Sequence, residues 1–112
     1  MYQYKAIVTR VVDGDTFDCT IDLGFRIYTK QRIRVSNLNT PETWRPKSES
    51  ERKHGIQATV RAKELVEGKQ IILDSEYSGI YDRWSARVTL EDGRLYADVM
   101  ISEGFEKLEI YD

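Results

Sequence analysis

One cysteine, one histidine and two prolines among 112 residues leave several architectures without their raw material. A lone Cys19 cannot close an intrachain disulfide or build a cysteine-cluster zinc site. No apolar run approaches the roughly 20 residues of a membrane span, and Met1-Tyr2-Gln3-Tyr4-Lys5 does not open a secretory leader. A reducing, cytoplasmic compartment and no membrane partner are therefore expected. Positive charge is not in excess either: Lys+Arg 17 against Asp+Glu 19 gives a formal net charge of -2. That excludes a broad basic coat for nucleic acid, but not an enzyme that holds one phosphate with a few focused arginines. Glycine-rich and Walker phosphate-binding motifs are missing. What remains is 40% hydrophobic and 32% charged, the balance of a folded globular chain. Its length predicts a single domain over 1–112 with one real core.

Alternation organises the first third. Residues 4–12 are β-branched and aromatic and read as a strand. Asp13-Gly14-Asp15 signals a turn. Phe17, Cys19, Ile21 and Leu23 then oppose Thr16, Asp18, Thr20 and Asp22, and over 26–36 Ile27, Thr29, Gln31, Ile33 and Val35 oppose the intervening polar positions. Three such strands predict a curled meander. Pro41 breaks the pattern, and the charges and serines of 44–53 predict a solvated loop. Ala58, Ala62, Leu65 and Val66 recur on one stripe, which predicts a helix over 55–67 with Gly68 behind it. Residues 69–74 read as a fourth strand. Trp84, Ala86, Val88 and Leu90 alternate in a fifth, with Trp84 in the core. Leu95, Tyr96, Val99 and Met100 mark a second helix, ended by Gly104. Three strands, a helix, two strands and a helix close most easily into a small barrel, with an open α+β sheet as the alternative.

Two acidic places stand at predicted strand ends: Asp13-Gly14-Asp15-Thr16, and Asn39-Thr40-Pro41-Glu42-Thr43 following Arg34. In a meander these ends share one rim, so Asp15 can meet Asn39 and Glu42 with Arg34 alongside. Carboxylate, amide and carbonyl oxygens are hard ligands suited to Ca²⁺ or Mg²⁺. The plain alternative for Asp-Gly-Asp is a solvated turn.

Val12-Asp13-Gly14-Asp15-Thr16, then Arg32-Ile33-Arg34-Val35 leading to Asn39-Thr40-Pro41-Glu42-Thr43, resembles the staphylococcal nuclease family. His54-Gly55-Ile56-Gln57-Ala58, Tyr81-Asp82-Arg83-Trp84 and Asp92-Gly93 before a helix extend the resemblance in order along the chain. It implies a mainly β, OB-type five-stranded barrel with a helix after strand three and another after strand five. It also implies a metal-dependent nuclease that hydrolyses phosphodiesters of single-stranded DNA or RNA, leaves 3′-phosphate ends and acts as a monomer. By that resemblance Asp15, Asn39 and the Thr40 carbonyl are Ca²⁺ ligands, Arg34, Glu42 and Arg83 are catalytic, and Tyr81 touches substrate. Asn39 stands where the family carries a second calcium carboxylate, Asp82 replaces a glycine, and the long final helix of the type member is missing. The alternative is a catalytically weak or inactive OB module that binds nucleic acid or a protein partner.

Other residues have plainer readings. Arg87 shares a predicted face with Arg83 and competes with it for the second phosphate contact. Tyr81 is either a substrate platform or loop packing. His54 is expected to serve the start of the helix rather than as a base, and Cys19 to be a small buried hydrophobe. Trp44 borders the charged loop, where it either touches a base or anchors that loop.

Overall fold

The computed structural model describes residues 2–77 and 84–111. Strand β1 (Tyr2–Asp13) is long enough to serve two neighbours, pairing with β4 (Gln70–Tyr77) through its first half and β2 (Thr16–Asp22) through its second. Register shifts between Val8 and Arg10 and between Val11 and Asp13 mark where it bends, as extra residues in one strand of a pair do. Strand β3 (Tyr28–Val35) pairs antiparallel with β2 and parallel with β5 (Trp84–Thr89), which closes a barrel in the order β1-β2-β3-β5-β4. With one helix after β3 and one after β5, this is the expected OB-type α+β fold.

The alternation read from the sequence is the inside and outside of this barrel. Phe17, Cys19, Ile33, Leu73, Ala86 and Val88 are all buried, so closure keeps the inner face of the sheet from water. Three expectations fail at strand ends. Leu23, expected on the buried face with Ile21, is 44% exposed just past β2. Ile27 is 56% exposed, because Phe25 and Arg26 take left-handed φ of 52° and 60° in the hairpin and the alternation starts only after them. Trp84 is 45% exposed rather than core, since it is the first residue of β5, at the edge of the packed interior.

Helix α1 (Glu49–Val66) begins six residues before the expected start, so 49–53 are helical rather than loop. The cause is a cap. Ser48 is extended and its Oγ accepts from the Glu51 N–H at 3.1 Å, the Ser-x-x-Glu spacing of a helix start. Glu49 and Glu51 in the first turn and Lys63 in the last complement the helix dipole. Gly68, at φ 76°, follows the C-cap as expected. The small residues Ala58 and Ala62, with Val66, let the helix lie close on the barrel.

Helix α2 (Tyr96–Ser102) drives Tyr96, Val99 and Met100 into the same core. The Tyr96 ring meets Phe17 edge-on at 5.0 Å, and its hydroxyl donates to the Gly14 carbonyl at 2.6 Å. A buried phenol needs such a partner, and here it pins the β1–β2 turn from below.

Candidate active site

Asp13, Gly14 and Asp15 form a turn closed on itself: the Asp15 N–H donates to Asp13 Oδ1 at 3.1 Å, the short side-chain bond that makes aspartate a turn former. Gly14 is required by proximity, since a Cβ there would sit 2.7 Å from Thr40 Cγ2. The Val35 N–H donates to the Asp15 carbonyl at 2.8 Å, tying the turn to the end of β3. The Asp15 side chain therefore points into the fold, and the residue is 7% exposed. Its Oδ1 accepts from the Thr16 hydroxyl and its Oδ2 from the Thr40 N–H, both at 3.0 Å.

Arg34 stands directly across from Thr16 in the β2–β3 register, on the outer face of the sheet. Its Nη1 donates to the carbonyls of Leu38 at 2.7 Å and Val35 at 3.0 Å, and lies 3.5 Å from Asp15 Oδ2. Its Nη2 donates to Asn39 Oδ1 at 3.4 Å. The chain leaves β3 through Asn37 at φ 62°, a left-handed conformation asparagine tolerates, and this wraps 38–42 around the guanidinium. The result is an open groove of about 680 Å³ lined by Asp13, Asp15, Arg34, Asn39 and Glu42, bordered by Arg32 and Trp44. Thr40 is 3% exposed, behind the groove.

The structure thus brings Asp15, Arg34, Asn39 and Glu42 to one groove, the meeting expected of a meander, with Thr40 buried behind it. Tyr81 and Arg83 lie outside the described residues. Arg87 is exposed on β5 opposite Asp74 and does not line the groove.

The two carboxylates of the turn differ in charge. Burial disfavours ionisation of both. For Asp13 burial wins, helped by the hydrogen bond and negative charge of Asp15, and its pKa is pushed up to about 7. For Asp15 burial is outweighed by the hydrogen bond to Asp13, the Arg34 charge and the Thr40 N–H, which together hold its carboxyl below the ordinary range. Of the two, Asp15 is the one whose surroundings favour the charged form, and Asp13 the one that burial pushes toward the neutral form.

Among the described residues, no three His, Cys, Asp or Glu side chains cluster to hold a metal ion. The oxygens at the rim are nevertheless of the hard type that calcium takes. A carboxylate has about four lone-pair sites, and the Asp15 bonds to Thr16 and Thr40 do not use them all. The donor set fits such a cation in kind and is poor in charge, because Asn39 contributes a neutral amide.

Glu51 escaped the sequence reading. Its side chain is 1% exposed, one oxygen accepts from the Lys47 N–H at 2.7 Å and the other meets Lys107 Nζ at 3.2 Å. These contacts, the Lys47 N–H foremost, hold its carboxyl below the usual value against burial. Lys107 completes the brace, its N–H donating to the Asn39 carbonyl at 2.7 Å. The Ser48-x-x-Glu51 spacing was the available signal, although it announces a helix start and not a brace.

His54 has no part in starting the helix, which was the role expected of it: α1 begins at Glu49, so His54 lies inside the helix and ties it to the C-terminal segment. Because the Gly104 carbonyl can only accept, Nε2 carries the hydrogen and donates to it at 2.7 Å, leaving Nδ1 to accept from the Tyr111 hydroxyl at 2.7 Å. Cys19 is as expected: it is buried, and burial pushes its thiol up to about 12. Trp44 is 77% exposed beside the groove. Among the described residues, no helix is long and apolar enough to cross a membrane.

No curated protein matches the chain. Residues 32–112 match a family model described as Staphylococcal nuclease homologue, a span that holds Arg34, residues 39–43 and both helices and begins after the Asp13–Asp15 turn. With most of its length matched and its barrel closed in the expected order, the chain belongs to the staphylococcal nuclease homologue family.

Proposed function

We propose that this groove is the active site of a nuclease that hydrolyses phosphodiester bonds of single-stranded DNA or RNA with calcium and leaves 3′-phosphate ends. The observation that carries the reading is Arg34. A guanidinium bonded to two backbone carbonyls, beside an ionised Asp15 and opening onto the groove of Glu42, is held in place before any ligand arrives. Its Nη1 hydrogens are spent on orientation, so Nε–H and the rest of Nη2 are the donors that meet a phosphate. Such a planar donor set suits the oxygens of a phosphoryl group, and pre-orientation lets it stabilise the charge that develops in the transition state. Glu42 is exposed on the groove and takes the proton of the attacking water. Asp15, Asn39 and the Thr40 carbonyl are the residues that would hold calcium, which when bound supplies positive charge to a phosphate oxygen. Arg83 and Tyr81 remain the assigned second phosphate contact and substrate platform on the strength of the resemblance, and a monomer suffices for this chemistry.

The competing reading, a binding module without turnover, draws on Asn39, whose amide gives a cation no charge. A calcium titration of cleavage on single-stranded DNA and RNA separates the two, using wild type, Asn39→Asp and Asp15→Ala with chelator controls. Calcium-dependent cleavage with 3′-phosphate products is expected, with half-maximal activity at lower calcium in Asn39→Asp and none in Asp15→Ala. Cleavage by Asn39→Asp alone would make the natural chain a binding module. No cleavage and no calcium binding by either would remove the metal site.

A further inference from the structure

The groove does not end at Arg34. On the same face of β3, two residues earlier, Arg32 also lines it, and the other border is Trp44. Residues two apart on a strand sit roughly 7 Å apart, given a rise of about 3.3–3.4 Å per residue. That is the scale of the step between neighbouring phosphates in an extended single strand.

Arg32 is built differently from Arg34. Asp18 faces it across the β2–β3 ladder and takes one edge of the guanidinium, with Nε to Oδ1 at 2.9 Å and Nη2 to Oδ2 at 3.3 Å. A guanidinium has two such edges. The Nη1–Nη2 edge is left, and the side chain is 59% exposed, so a second fork of parallel N–H donors is presented by a group whose orientation is already fixed. Trp44 offers a flat, 77% exposed indole at the same groove, and bases of any sequence stack on such a ring.

We propose that Arg32 and Trp44 form a second subsite that takes the adjacent nucleotide, its phosphate on Arg32 and its base on Trp44. The site then selects oligonucleotides with consecutive phosphates over a lone phosphodiester. This rests on the nucleic-acid reading above and extends it to the length of substrate engaged. It also answers how a chain of net charge -2 holds a polyanion: two oriented forks in one groove replace a diffuse basic surface.

The test is equilibrium binding of two probes in calcium, the dinucleotide TpT with one phosphate and a four-thymidine oligonucleotide with three. Every protein carries Glu42→Gln to prevent cutting and Trp84→Phe so that Trp44 is the reporting fluorophore. The longer probe is expected to quench Trp44 and bind more tightly than TpT. Arg32→Ala should weaken the longer probe about tenfold, the loss of a charge-assisted contact, and leave TpT unchanged. It should also flatten the slope of log affinity against log salt by about 0.7, one single-strand phosphate. Arg32→Lys should keep the slope and lose part of the affinity. Arg34→Ala should weaken both probes. If Arg32→Ala leaves the longer probe unchanged, or weakens both probes equally, while Arg34→Ala weakens both, the second subsite is wrong and the nucleic-acid reading stands. If the parent binds neither probe, both fall.

Discussion

Gly55→Ala puts a methyl group where α1 meets the back of the Asn39–Thr43 loop. An added Cβ would lie 2.7 Å from the Pro41 carbonyl oxygen, 2.9 Å from Thr43 Cγ2 and 3.1 Å from the Glu42 carbonyl oxygen. Ordinary contact begins at 3.4 Å, so the nearest backbone atom must give by about 0.7 Å. Two effects oppose. Alanine in a helix interior is favoured over glycine by about 1 kcal/mol, whereas overpacking against a fixed neighbour costs about 1–3 kcal/mol. The net change expected is a destabilisation between about zero and 2 kcal/mol, small enough to leave the protein folded. The groove is less forgiving. The atoms displaced belong to the residues that carry and flank Glu42, and a misplacement near 1 Å at a reacting group costs on the order of 100-fold in rate. Turnover at saturating calcium should therefore fall about 10- to 100-fold while urea unfolding, followed by tryptophan fluorescence, moves little. Val60→Ala is the control, since that side chain is 53% exposed on the same helix and its replacement changes propensity without a clash. If Gly55→Ala is stabilised to the same extent as Val60→Ala and cleaves like wild type, the helix does not press on the loop and the reasoning fails.

Tyr96→Phe keeps the ring against Phe17 and strands the buried Gly14 carbonyl. A loss of about 1–2 kcal/mol in urea unfolding is expected, and an unchanged midpoint would show that the turn does not depend on this bond. Asp13 and Asp15 give opposite pH dependences in chelator. Asp13 binds its proton more tightly folded than unfolded, so its contribution is complete below about 3.8 and is lost as pH rises through about 7. Asp15 has its pKa lowered, so its contribution is present above the unfolded value and is lost as pH falls through the folded one. Asp13→Asn should thus gain stability relative to wild type between pH 4 and pH 8, and parallel profiles for the two proteins would refute the assignment.

The strand order was legible because a closed barrel buries one face of every strand, and period-two burial survives in composition as Phe17, Cys19, Ile21 and then Ile33, Val35. Alternation misled at Leu23, Ile27 and Trp84, where hydrophobic residues continue the pattern past the end of the packed interior. The start of α1 was misplaced because 49–53 carry charges that suit either a loop or the solvent face of a helix, and only Ser48 and Glu51 distinguish them. The rim was legible because the turn and the loop are short-range motifs whose meeting follows from strand order. Glu51 and Lys107 were not, since a buried ion pair between residues far apart leaves no periodic trace, and each alone looks like one more surface charge. Arg32 is the same kind of omission: in sequence it is one of the polar positions alternating along β3, and only the groove shows that one edge of it remains open.

The contact between Lys107 and the Asn39 loop also orders events in time. The barrel needs β5, and the brace behind the loop needs residues that follow α2, so as the chain emerges from synthesis its strands can pair before the Asn39 carbonyl and the Glu51 carboxylate find their partner. Through that interval the groove has its arginines without the strut that fixes the opposite wall. If the groove cuts nucleic acid as proposed, a site whose last brace arrives late is least competent while the chain is still on the ribosome, itself largely RNA.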